Sequence, residues 1–235
     1  MAEESNWKGL LKLGGIGALI AGPLTIIDIM VYAVWPQPSS VTAWFSLFHK
    51  SWIVGLLDLD FLGMIIYIVV IPTILAFYVT LRRTSQSWSA VGGVLAFIGM
   101  VTYFASNTGV SMLSLSGQYA AATNDTQRTV IQSAGQAVLA IFFGPAFTTS
   151  FFLVSAALLI TAVVMLRSPT FSARIAYVGI IANAAGVLEQ LPVPTLITLV
   201  IVLVNAIGLG IWFISAGRRL WQLGQDATKI AAGHK

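Results

Sequence analysis

The distribution of positive charge along this chain is the feature that most constrains its fold. Six long apolar stretches alternate with short polar segments. If the N-terminus faces the cytoplasm, ten of the twelve Lys and Arg residues fall on that side: Lys8, Lys12, Arg82, Arg83, Arg167, Arg174, Arg218, Arg219, Lys229 and Lys235. Lys50 and Arg128 fall on the opposite side. Because Lys and Arg accumulate in cytoplasmic loops, this pattern predicts six membrane-spanning helices with both termini in the cytoplasm.

Composition supports the bilayer as the solvent of this chain. Hydrophobic residues make up 57% of the sequence and charged residues 9%, whereas soluble domains carry about 25% charged residues. A charge at the centre of a spanning helix costs about 2.5–3.5 kcal/mol on insertion scales, which explains the deficit. The cations are spread over many helix ends instead of forming a stripe. The net charge of +4 therefore indicates no nucleic-acid partner, and the lipid bilayer is the predicted one.

The predicted fold is an all-α, polytopic membrane domain covering residues 1–224, with short interfacial helices on the outer side. About 20 residues cross the hydrocarbon core of roughly 30 Å. The predicted spans are residues 13–35, 52–81, 88–113, 136–166, 173–191 and 195–216. The segment VTAWFSLFHK, residues 41–50, has helical apolar spacing and is predicted to lie in the outer interface. Residues 225–235 are predicted to form a loose C-terminal tail.

Two acids inside predicted spans, Asp28 and Glu189, are the main candidates for ligand binding. Asp28 lies 16 residues beyond Lys12 and Glu189 lies 15 beyond Arg174, so each stands about 22–24 Å from a cation at the inner boundary. Both acids are therefore expected at similar depth, slightly below the outer interface. Ionisable residues inside a membrane indicate functional sites by default.

The third predicted span offers polar groups at a matching position. Aligning its Gly92-Gly93 pair with Gly14-Gly15 of the first span places Ser106 beside Asn107 at the depth of Asp28. We expect Ser106 and Asn107 to act as neutral hydrogen-bonding contacts in the same ligand site. The alternative is that these polar groups only bond to neighbouring helices.

Asp58 and Asp60 form a secondary candidate, an outer acidic rim. The uncharged run 61–81 fills the hydrocarbon core by itself, so the two acids are expected at the level of the outer headgroups, at a solvated helix start. They lie two residues apart and therefore point to different faces of a helix. His49 is a weak candidate for a metal ligand together with these acids.

Catalytic and cofactor motifs are missing from the sequence. The chain has no cysteine and two histidines, which removes thiolate chemistry and iron–sulfur clusters. The patterns G-x-S-x-G, H-E-x-x-H and the P-loop do not occur. The sequence therefore predicts no cofactor and favours a non-enzymatic role, although it does not decide whether the protein is an enzyme.

Two segments carry a family resemblance. Residues 114–141, SLSGQYAAATNDTQRTVIQSAGQAVLAI, and residues 207–224, IGLGIWFISAGRRLWQLG, resemble a bacterial family of small six-span membrane proteins catalogued as a domain of unknown function. The small-residue opening GGIGALIAGPL agrees with it. The resemblance implies a multi-pass protein of the bacterial inner membrane. It implies no substrate, cofactor or catalytic residue.

Three functional hypotheses follow. The leading one is a protein that binds or transports a small ligand entering from the outer face, where the ligand is cationic, proton-linked or lipophilic. The second is a non-catalytic accessory or scaffold subunit, with Gly/Ala stripes facing a partner and no cavity. The third is a carboxylate- or metal-dependent membrane enzyme. Six spans are few for a transporter, so a homo-oligomer or a larger membrane complex is expected.

Overall fold

The structure, a computed structural model, describes residues 2–191 and 194–232, and side chains for residues 7–191 and 194–226. The described chain forms ten α-helices: α1 (Ala2–Val34), α2 (Val41–Lys50), α3 (Trp52–Asp58), α4 (Phe61–Leu81), α5 (Gln86–Ser106), α6 (Gly109–Ala121), α7 (Asp125–Phe142), α8 (Pro145–Leu166), α9 (Ala173–Leu188) and α10 (Thr195–Ala232).

Six of the described helices form a closed ring. Helices α1, α4, α5, α8, α9 and α10 pack side by side in chain order, and α10 returns to pack along α1. Helices α2, α3, α6 and α7 lie together at one end, which we call the capped end. Arg82 and Arg167 are the C-caps of α4 and α8 at the opposite end, the basic end.

The outside of the ring is apolar along most of its length. In the described part of the chain, five helical segments are long and apolar enough to cross a membrane: Trp7–Val34, Phe61–Leu81, Gln86–Ala121, Asp125–Leu166 and Thr195–Asp226. The apolar helix Ala173–Leu188 is shorter. Large apolar side chains face outward, among them Leu196 of α10, which is 79% exposed. The prediction of an all-α polytopic membrane protein is confirmed.

Small residues allow α1 to approach both of its neighbours in the ring. A Cβ atom at Gly17 would collide with the carbonyl oxygen of Val69 on α4. A Cβ atom at Gly22 would stand 2.7 Å from the carbonyl oxygen of Gly210 on α10. Close backbone approach of this kind drives helix association in lipid, where burial of apolar surface contributes little. Gly17 and Gly22 therefore face neighbouring helices of the ring instead of an external partner.

Three predicted spans are interrupted in the structure, each for a local reason. The predicted span 52–81 is divided at Leu59-Asp60, where Asp60 has a left-handed φ of 56°. The predicted span 88–113 ends at Ser106, because Asn107 is extended and its Oδ1 accepts a hydrogen bond from Gly109 N at 3.2 Å. The predicted span 136–166 restarts at Pro145, which takes the first helical position because proline cannot donate within a helix.

The four short helices share an apolar core of their own. Its buried members are Trp44, Phe45, Phe48, Leu56, Leu59, Met112 and Phe142. Segment 41–50 is helical as predicted, but its apolar face packs against α6 and α7. The Ser116 hydroxyl fixes this arrangement by donating a hydrogen bond of 2.9 Å to the carbonyl oxygen of Phe45. The capped end is thus a packed layer over one end of the ring.

The last helix extends into the predicted C-terminal tail. Helix α10 continues to Ala232, and the loose tail is predicted from residue 225. Gly224 lets α10 pack on α1 just before this segment, since a Cβ atom there would stand 3.0 Å from the backbone nitrogen of Lys12. The last three positions of the predicted tail, 233–235, lie outside the described residues.

Candidate functional site

The ring encloses a cavity of about 500 Å³ in its half nearest the capped end. All six ring helices contribute to its walls, for example through Asp28 of α1, Tyr67 of α4 and Asn205 of α10. Gln37 and Phe143 also line it and are exposed, so they mark its mouth at the capped end. This volume is within the range that holds a drug-sized ligand.

In the described chain, the polar lining of the cavity includes acids and no bases. Asp28, Asp60 and Glu189 contribute carboxyl groups, and none of the described lining residues is Lys, Arg or His. The remaining walls are mostly aliphatic and aromatic. A site of this composition favours a ligand that carries positive charge on an apolar body.

Asp60 occupies a strained break between α3 and α4. Its φ of 56° is left-handed, a conformation that L-residues adopt at a cost of order 1–3 kcal/mol. The break frees backbone carbonyls, and side chains from α5 satisfy them. The Tyr103 hydroxyl donates to Asp60 O at 2.7 Å, and Asn107 Nδ2 donates to Leu59 O at 2.9 Å and Asp60 O at 3.2 Å. Irregular backbone is tolerated at this depth because protein surrounds it.

The Asp28 carboxyl of α1 and the Asp60 carboxyl at the start of α4 line the same cavity, where α1 packs against α4. The Asp60 residue is 2% exposed. Among the described side chains, Asp28 Oδ1 and Asp60 Oδ1 are buried oxygens without a hydrogen-bond partner. A buried acceptor without a partner is costly, so each oxygen is ready to bind a donor or a cation in the cavity.

Tyrosine hydroxyls surround the Asp60 carboxyl. Tyr32, Tyr67 and Tyr103 line the cavity beside it, and the Tyr103 hydroxyl proton is donated to the backbone oxygen of Asp60. Gly63 provides the space for the group, since a Cβ atom there would stand 2.5 Å from Asp60 Oδ1. The absence of a side chain at this position keeps the carboxyl open to the cavity.

Aromatic rings form the wall opposite α10. The ring of Tyr103 lies 4.5 Å from that of Tyr67 and 5.8 Å from that of Phe147, measured between centroids. Phe151 stands 4.8 Å from Phe147 on the same helix. Aromatic faces attract cations, with energies of about 0.5–2 kcal/mol that increase as the site is desolvated. The wall therefore complements the carboxyl groups.

Glu189 lies at the cavity edge, at the C-cap of α9. Burial raises the pKa of its carboxyl above the usual range. Nearby, Asn205 Nδ2 of α10 donates to Ala182 O of α9 at 2.9 Å, and Asn183 Nδ2 donates to Gly179 O at 2.8 Å. Both amides line the cavity, and the Asn205 bond joins α10 to α9.

Several predicted site residues lie elsewhere. Asp28 and Glu189 both line the cavity, but Ser106 and Asn107 do not. Ser106 Oγ donates to Tyr103 O at 2.9 Å within its own helix, and the Asn107 amide supports the break at Asp60. Their roles are structural because the chain bends away from the cavity at the end of α5.

The expectation of a solvated acidic rim is wrong. Asp58 is 1% exposed and Asp60 2% exposed, because the capped end covers the start of α4. Burial raises the pKa of the Asp58 carboxyl to about 6. His49 is exposed on α2, and no group of three or more His, Cys, Asp or Glu side chains among the described residues could hold a metal ion.

The tyrosines that line the cavity beside Asp28 and Asp60 are missing from the sequence-based predictions. Tyr32 follows Asp28 by four residues and so shares its helix face, a signal available in the sequence. Tyr67 and Tyr103 are tyrosines in the middle or outer half of spans, where a hydroxyl needs a polar neighbour. The pairing of Asp28 with Asp60 has no such signal, because it depends on the left-handed turn.

Comparison of the chain with protein-family models, curated proteins and solved structures finds no match in any of the three. Its class therefore follows from fold and site. It is an all-α polytopic membrane protein whose ring of helices encloses an acidic, aromatic-lined cavity.

Proposed function

We propose that this protein binds or transports a small organic cation with an apolar body, which enters the cavity from the outer face. The observation that carries the proposal is the polar lining: three carboxyl groups, two of them with unpartnered buried oxygens, stand among aromatic walls without a lining cation in the described chain. A ligand with neither a hydrogen-bond donor nor a positive charge would leave those oxygens unsatisfied, and an anion would be repelled.

The orientation of the chain is part of this proposal. We place the protein in the bacterial inner membrane with six spans, both termini in the cytoplasm and the capped end outside. The positive charges at the basic end support this sidedness. The position of α9 in the ring between α8 and α10 supports a sixth crossing, although α9 has 16 residues. The family resemblance of residues 114–141 and 207–224 agrees with the same layout.

The observations favour ligand binding over an accessory or scaffold role. A scaffold would present small-residue stripes to a partner and would need no cavity. Instead, Gly17 and Gly22 pack against α4 and α10 inside the ring, and the ring encloses a cavity. A homo-oligomer or a larger complex remains compatible with a ligand site inside each subunit.

Equilibrium dialysis of the purified protein in detergent against tetraphenylphosphonium tests the proposal. We expect saturable binding that the neutral compound triphenylphosphine oxide does not displace. Asp60→Asn should weaken binding at least about tenfold, equivalent to about 1.4 kcal/mol. The control Asp125→Asn removes an exposed acid on α7 and should bind like the wild type. Equal affinity for the cation and the neutral compound would refute the proposal.

A further inference from the structure

The carboxyl pair Asp28–Asp60 is the most unusual arrangement in the cavity. Both carboxyls line the same cavity, and each has one buried oxygen without a hydrogen-bond partner. Two neighbouring carboxyls in a largely apolar cavity cannot both ionise without a compensating positive charge, because desolvation and like charge both favour the neutral form. Without a cation beside them, we expect the two groups to share one proton.

No described side chain near the pair supplies the missing positive charge. The titratable groups around it in the described chain are acids and tyrosines: Tyr32 on α1, Asp58 on α3, Tyr67 on α4, Tyr103 on α5 and Glu189 on α9. Gln37, which follows α1, adds a neutral amide. Of the described residues that line the cavity, none is cationic. A charge that allows both carboxyls to ionise must come from a ligand.

We propose that an entering organic cation displaces the proton shared by Asp28 and Asp60, so that the site exchanges one proton for one cation. This inference rests on the proposed function. The O–H bond of the neutral carboxyl breaks, its electron pair stays on the carboxylate, and the proton leaves to water through the mouth at Gln37. The cation then pairs with the new carboxylate, and the net charge inside the cavity is unchanged.

The geometry supports exchange over simple addition of the cation. Asp28 Oδ1 and Asp60 Oδ1 are the unpartnered oxygens of the pair. A cation that contacts both oxygens stabilises the ionised form of both carboxyls. This lowers the affinity of the pair for its proton. By linkage, cation and proton then compete for the site, and the affinity for the cation increases with pH.

Isothermal titration calorimetry with tetraphenylphosphonium tests the exchange. The titration is run at neutral pH in phosphate and in Tris, whose ionisation enthalpies differ, so the difference in heat counts the protons released. The probe has a permanent charge, and any proton must come from the protein. We expect close to one proton released per bound cation, and an affinity that rises up to about tenfold per pH unit in mildly acidic solution.

Two variants locate the proton. Asp28→Asn leaves a single carboxyl in the pair, so it should bind the probe with release near zero. Asp125→Asn, at an exposed position on α7 outside the cavity, keeps the pair and should release as many protons as the wild type. Release from Asp28→Asn equal to that of the wild type would overturn the exchange at this pair.

The failures of the two proposals are distinguishable. If the wild-type protein binds the probe without proton release and with an affinity independent of pH, the exchange is refuted and the cation site stands. If the probe does not bind at any pH, the proposed function itself fails. The wild-type measurement decides both points even where a variant does not fold.

Discussion

The Tyr103 hydroxyl donates a hydrogen bond of 2.7 Å to the carbonyl oxygen of Asp60, across 43 residues of sequence. This bond joins α5 to the break between α3 and α4. It holds a residue with left-handed φ, and that residue places its carboxyl in the cavity. The site thus depends on backbone geometry that a side chain from a different helix maintains.

Tyr103→Phe tests this support. Loss of a buried intramolecular hydrogen bond costs about 0.5–1.5 kcal/mol, so the melting temperature in detergent should fall by several degrees. Binding of tetraphenylphosphonium should also weaken, because the Asp60 carboxyl loses its fixed position. The control Tyr177→Phe removes a hydroxyl from a side chain that is 56% exposed and should change neither property. Unchanged stability and binding in Tyr103→Phe would contradict this role.

The buried Asp58 gives a pH-dependent prediction. Burial raises its pKa from 3.8 to about 6, so the folded protein binds the Asp58 proton more tightly than the unfolded chain. The bound proton therefore stabilises the folded state relative to the unfolded chain. This contribution to the free energy of unfolding is full below pH 3.8 and is lost as the pH rises through about 6. At pH 7.5 (above both values), Asp58→Asn should therefore be more stable than the wild type by on the order of 1 kcal/mol.

Thermal unfolding of the wild type and Asp58→Asn at pH 4 and pH 7.5 measures this difference. The advantage of the variant should appear at the higher pH and shrink at the lower one. Asp125→Asn, at an exposed position on α7, controls for a general change in charge. A stability difference between Asp58→Asn and the wild type that is the same at both pH values would contradict the burial argument.

The glycines of α1 give a packing prediction. In Gly17→Ala the new methyl group meets the carbonyl oxygen of Val69, which is backbone and cannot rotate away. Overpacking of this kind costs about 1–3 kcal/mol, so the melting temperature should fall. Gly93→Ala is the matched control, since no atom lies within 4 Å of a Cβ at Gly93. Equal melting temperatures for the two variants would show that α1 and α4 are not in close contact.

The sidedness of the chain is directly measurable, because the sequence contains no cysteine. Ser87→Cys labels the basic end and Thr126→Cys the capped end, and both positions are exposed. A membrane-impermeant maleimide added to intact cells should label Thr126→Cys at once and Ser87→Cys after permeabilisation. Labelling of both positions from the outside would contradict the proposed orientation.

Much of the architecture could be predicted from sequence, and the reason is physical. A bilayer requires long apolar helices, so composition and spacing were enough for the all-α fold. The distances of Asp28 and Glu189 from the inner-boundary cations also predict that the two acids lie at similar depth, and both line the cavity. Depth along a helix is set by the rise of 1.5 Å per residue, and it does not depend on tertiary contacts.

The pairing of acids could not be predicted in the same way. A continuous helix from residue 52 to residue 81 would have kept Asp58 and Asp60 at its outer end. The left-handed turn at Asp60 reorients that carboxyl toward Asp28, and its stabilising bonds come from Tyr103 and Asn107. A turn that depends on side chains 43 and 47 residues away leaves no local pattern.

The most direct test of the central claim is a crystal structure with tetraphenylarsonium, in which arsenic gives an anomalous signal. We predict one arsenic peak inside the ring, between the Asp28–Asp60 pair and the aromatic wall that contains Tyr103, and its loss in Asp60→Asn. An arsenic peak only on the lipid-facing surface, or one that persists unchanged in Asp60→Asn, would contradict the account.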